Sequence, residues 1–78
     1  MPTILRTGTF RFYFFSSDRD EPLHVHVEHG GCVAKFWVEP VRLERSGGFR
    51  PQELLEIQRI VEDNKGAIIR SWHEFFGN

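Results

Sequence analysis

With 78 residues the chain has room for one domain and little more, near the size at which a single hydrophobic core supplies only ~3–5 kcal/mol. A net charge of -1 and a pI near 6.4 exclude the broad basic field of a nonspecific nucleic-acid binder, although a local patch can coexist with a neutral total. Cys32 is the only cysteine, so no intramolecular disulfide forms, and neither a signal-peptide run nor the ~18 apolar residues of a membrane span is present; a cytoplasmic protein is expected.

Taken in order, Thr7-Gly8-Thr9 reads as a turn and Phe10 to Phe15 as an aromatic strand partly covered on both faces. Ser16 to Leu23 is a polar, charge-dense loop. Leu23 to Glu28 and Cys32 to Glu39 are the next two strands, joined through His29-Gly30-Gly31, where glycine supplies the positive φ angles of a tight hairpin. Pro40 stops the third strand. Val41 to Arg45, with charges alternating against Val41 and Leu43, reads as an edge segment rather than a basic patch.

The hairpin register follows from the pattern alone. With Gly30 and Gly31 central in the turn, Val27 faces Ala34 and Val25 faces Phe36, which gathers the small and apolar residues on one face. The other face then pairs His26 with Lys35 and His24 with Trp37, and Glu28 and Val33 complete the row. His24 and His26, at i and i+2, are ~6.8 Å apart along a strand and share that face. It is expected to point outward.

Gly47-Gly48 divides the strand half from a helical half. Pro51 suits the first helical position, Glu53 favours the positive end of the helix dipole, and Phe49 and Leu54 have the spacing of a hydrophobic staple, while Arg50 is a poor cap. The stripe Leu54, Ile57, Val61, Ile68, Trp72 and Phe75 is interrupted by Asn64-Lys65-Gly66, which divides it into helices of about Pro51–Asp63 and Lys65–Phe76, with Asn64 placed to cap the second. A single kinked helix is the alternative. The expected class is α+β, one domain over residues 1–78: a small antiparallel sheet of about three strands with a C-terminal helix or helix pair packed on the Val25 and Phe36 face.

Several segments together carry a resemblance: the opening Met1-Pro2-Thr3-Ile4-Leu5-Arg6, Arg11 to Phe15, Asp20 to Val27, Ala34 to Pro40, Gly48-Phe49, and Ile68 to Phe76. Over nearly its whole length the chain resembles the bacterial family called domain of unknown function 4160. Leu23 stands where that family usually has a second proline, a departure that touches loop stiffness more than chemistry. The resemblance implies a small prokaryotic protein, often encoded beside a member of another uncharacterised family, and a place in toxin–antitoxin pairs.

The candidate site combines these residues. His24, His26 and Lys35 form a catalytic set for RNA cleavage: one imidazole takes the proton of a ribose 2′-hydroxyl, the other protonates the leaving oxygen, and Lys35 stabilises the charged phosphorane. Arg11, Tyr13, Asp20, Glu28 and Trp37 are substrate-binding or interface candidates, since an indole on the polar side of a sheet needs a loop, a subunit or a stacked base to cover it. In a noncatalytic alternative the same face docks a partner protein. In a third, Asp18, Asp20, Glu28, His29 or Cys32 joins the histidines around a metal, but no spacing matches a zinc pattern, and neither metal nor cofactor is expected. Expected partners are a protein encoded nearby, RNA or a second copy in a homodimer, with no membrane. No phosphate-cradling glycine loop, nucleophile motif or dinucleotide fingerprint occurs, which removes kinase, hydrolase and dehydrogenase readings.

Overall fold

A computed structural model describes residues 3–77; Met1 and Pro2, which open the family-like signature, and Asn78 lie outside the described residues. The chain folds as an α+β unit with a five-stranded antiparallel sheet in sequence order and two C-terminal helices. The strands are β1 (Thr3–Thr7), β2 (Phe10–Tyr13), β3 (His24–His29), β4 (Cys32–Val38) and β5 (Val41–Arg45), and the helices are α1 (Pro51–Asp63) and α2 (Lys65–Phe76). Among the described residues no helix is long and apolar enough to cross a membrane.

The expected three strands are correct and the count is short by two. β1 and β5 form the edges, β1 pairing with β2 and β5 with β4. Both are short and carry few buried residues, as edge strands do, so alternation marks them weakly. The central hairpin has the register read from the pattern: His24 opposite Trp37, Val25 opposite Phe36, His26 opposite Lys35 and Val27 opposite Ala34. Gly30 and Gly31 both have positive φ, 57° and 84°, as the two central residues of such a turn require.

One sheet face carries Phe12, Val25, Val27, Ala34, Phe36 and Val38, which pack against Ile57 and Val61 of α1 and Ile68, Trp72 and Phe76 of α2. Fully burying side chains of this size stabilises by ~1.5–3 kcal/mol each, so this contact is the main source of the fold's stability. The helix bounds agree with the stripe reading. At the start of α1, Glu53 accepts the Arg50 backbone N–H at 2.9 Å, doing from the third position what Arg50 cannot do as a cap. Asn64 works in the opposite direction from expectation. Its Nδ2 donates to the Ile60 carbonyl at 2.8 Å and closes α1 rather than capping α2 with its side chain.

The aromatic strand also ends early, at Tyr13. Phe14 leaves the sheet and enters the core, its ring 5.1 Å from that of Trp72, and Phe15 leads into a short 3-10 turn, Ser16–Asp20. That turn folds back over the histidine end of β3.

Gly47 sits at a close approach. A Cβ placed there would lie 1.8 Å from the Val33 carbonyl oxygen, whereas Gly8, with nearly the same φ, has nothing within 4 Å. Gly8→Ala should therefore cost only the left-handed backbone penalty, ~1–2 kcal/mol. Gly47→Ala should cost clearly more because β4 must shift, and urea denaturation of the two variants measures the difference. Equal losses would contradict the contact.

Candidate functional site

The site is built where the loop after β2 crosses the start of β3. Asp18 is its centre. Only 6% exposed, its carboxylate accepts the Phe15 backbone N–H at 2.8 Å through Oδ2, an acid reaching back three residues to hold the turn that carries it. The same Oδ2 lies 2.9 Å from His26 Nε2, and Oδ1 lies 3.1 Å from His24 Nε2. The two imidazoles share a sheet face, as the alternation requires, with ring centroids 5.1 Å apart.

The outward exposure expected of this face is overturned for His24 and reduced to a partial one for His26. His24 is fully buried, enclosed by the rings of Trp37 at 5.6 Å and Trp72 at 5.4 Å, while its Nδ1 donates to the Pro22 carbonyl at 2.8 Å. His26 keeps 12% of its side chain exposed, lying stacked on Tyr13 and edge-on to Phe15. The physical reason is the Ser16–Asp20 turn. Its one buried residue, Asp18, supplies the acceptor that lets polar rings go under cover.

The other candidates form an ion-paired frame around this centre. Lys35 Nζ donates to Glu21 at 2.6 Å and lies 4.8 Å from the Trp37 ring centroid. Arg11 donates to Glu28 through its guanidinium and to Thr3 Oγ1 at 3.1 Å, and lies over the ring of Tyr13. Trp37 donates to Glu44 at 3.2 Å. Tyr13 is buried, and Asp20 is exposed and makes no contact with the histidines among the described residues. The acid that matters is Asp18, two residues earlier. Its signal was the three-residue reach back to Phe15, which charge density alone does not distinguish from Asp20.

Burial pushes the Asp18 carboxyl up, but the Phe15 N–H and the two imidazoles outweigh it and hold the group below its usual range. Burial likewise moves His26 below its ordinary value, only partly offset by Asp18. Desolvation, with Glu28 adding to it, raises the Tyr13 hydroxyl and keeps it a neutral phenol. The Lys35 hydrogen bond draws Glu21 down.

A cleft of about 240 Å³ is bounded by Arg11 and Glu28 of this frame, and there are two others. A cleft of about 280 Å³ runs beside Trp37, bounded by Pro22, Leu23, Glu39, Pro40 and Arg42. The larger, about 570 Å³, lies between the Gly8-Thr9 turn and the start of α1, and His29, Arg50 and Glu53 border it. Neither His24 nor His26 lines either cleft.

The direction of the His26 shift sets a pH dependence. An unfolded histidine titrates near ~6.5, so a lower folded value means the unfolded chain binds more protons as pH falls from there. Stability contributed by neutral His26 is present above about pH 6.5 and is lost as pH falls through the folded value. Asp18 adds a second loss below ~3.9. The urea midpoint should fall between pH 7 and pH 5, and fall less in His26→Gln, which can still donate to Asp18. Parallel slopes in the two proteins would contradict the assignment.

A family model described as a domain of unknown function (DUF4160) matches residues 9–73, a span that includes the aromatic strand, Asp18, both histidines, Lys35, Trp37 and most of α2. No curated protein and no solved structure matches the chain significantly. The match covers nearly all of the sequence, and the chain belongs to the DUF4160 family.

Proposed function

We propose that this protein is the partner-binding component of a prokaryotic two-protein system of the toxin–antitoxin kind, acting in the cytoplasm and meeting its partner through the face around Trp37. The observation that carries this reading is the cleft beside Trp37, where a half-buried indole stands with Pro22, Leu23, Pro40 and Arg42. Aromatic and arginine side chains in such a setting are the residues that most often dominate a protein interface. The charge pattern agrees with a protein partner. Arg11 and Lys35, the cations beside the histidines, are each matched by a carboxylate, so a phosphate backbone would have to displace Glu28 and Glu21 to reach them.

A two-histidine ribonuclease fits the geometry less well. His24 has no exposed surface and both its nitrogens face protein atoms, so it is not placed to exchange a proton with a ribose. A second reading rests on the Asp18–His26 contact of 2.9 Å, a carboxylate orienting a partly exposed imidazole, which is the arrangement of a general base. In that reading His24 is a positioning residue and His26 alone transfers protons.

Expression of the chain alone and together with the product of its adjacent gene separates the two. In the partner-binding reading, expression alone leaves growth unaffected, the two proteins co-purify, and Trp37→Ala weakens the complex by at least about tenfold, with His26→Gln changing it less. Growth arrest with RNA cleavage that His26→Gln abolishes would replace this reading with the second.

A further inference from the structure

Asp18, His24 and His26 bring three donor atoms to within 4.8 Å of one another. His24 Nε2 lies 3.1 Å from Asp18 Oδ1, and His26 Nε2 lies 2.9 Å from Asp18 Oδ2. An ion ~2.0–2.2 Å from each of two donors, at tetrahedral or octahedral angles, separates them by about 2.9–3.5 Å. Both separations are of that size.

The deciding atom is His24 Nε2. It is buried and, among the described residues, no hydrogen-bond partner meets it in line, although Asp18 Oδ1 is close. The other ring nitrogen is committed, because a carbonyl oxygen only accepts and Nδ1 must therefore carry the proton it donates to Pro22. In the neutral ring, Nε2 then turns a bare lone pair toward a carboxylate. Two electron-rich atoms held 3.1 Å apart under cover call for positive charge between them, which a metal ion or a second ring proton supplies. A backbone carbonyl accepting from the far nitrogen is also the usual way a protein orients a metal-bound imidazole.

We propose that Asp18, His24 and His26 bind one divalent transition-metal ion of the zinc class, through the Asp18 carboxylate and Nε2 of each histidine. Two imidazoles with one carboxylate suit zinc and its neighbours, whereas magnesium and calcium take oxygen donors. The ion ties the Ser16–Asp20 turn to β3 across the intervening Glu21, Pro22 and Leu23. For a domain of this size, that is the role a disulfide cannot fill with one cysteine.

The test is a titration of metal-free wild-type protein with Zn²⁺ by calorimetry, with the melting temperature followed in parallel. One equivalent should bind and raise the melting temperature. Asp18→Asn and His26→Gln should each weaken Zn²⁺ binding by at least about tenfold while the circular dichroism spectrum stays that of wild type. His29→Gln/Cys32→Ser, which removes the imidazole and thiol paired across the hairpin end, should bind as wild type does. Should Asp18→Asn fail to fold, His26→Gln at the more exposed edge of the cluster decides. Absence of Zn²⁺ uptake by wild type, or loss of binding in the His29/Cys32 variant but not in His26→Gln, overturns the proposal.

Discussion

The Asp18 carboxylate is the contact on which the rest of this end of the molecule depends. It meets the Phe15 N–H and both imidazoles at once, and so fixes the turn that covers β3. An apolar residue at that position would leave the Phe15 N–H and His26 Nε2 without this acceptor, at about 1–3 kcal/mol for each buried group left unsatisfied. The turn in turn directs Phe14 inward, where it packs on Trp72, Phe75 and Phe76 at the end of α2. One acid thereby joins the polar face of the sheet to the apolar layer beneath the helices.

This arrangement changes what the histidine face can do. An exposed pair with a free lysine would suit phosphate chemistry, whereas here Lys35 is occupied by Glu21, Arg11 by Glu28 and His24 by Pro22 and its aromatic neighbours. The loop that encloses the histidines also supplies Pro22 and Leu23 to the cleft beside Trp37. Order at the buried cluster and the shape of the outer cleft are therefore carried by one short segment. His24 connects them physically, with one nitrogen bonded to Pro22 and its ring against Trp37.

Much of the scaffold was legible from residue pattern because the constraints are local. Gly30-Gly31 sets the hairpin register, since a slip of one residue would bury Lys35 and expose Phe36, and the polar interruption at Asn64 divides the helical stripe at the junction found in the structure. Val41 to Arg45 was readable as an edge but not as a paired strand, because Arg42, Leu43, Glu44 and Arg45 are all exposed and show no buried face. The burial of His24 was not legible at all. It depends on the return of the neighbouring Ser16–Asp20 turn over the start of β3 and on Trp72 from the far end of the chain, and neither leaves a mark on the alternation of β3.

The most direct measurement of the central contact is a long-range ¹H–¹⁵N correlation spectrum of the histidine rings at neutral pH, recorded before and after one equivalent of Zn²⁺. It reports which nitrogen of His24 carries the proton. The expected result is a ring that keeps its Nδ1 proton toward Pro22 throughout and whose Nε2, toward Asp18, carries no proton once Zn²⁺ is bound. A His24 Nε2 unchanged by Zn²⁺, or a ring carrying no proton on Nδ1, would contradict it.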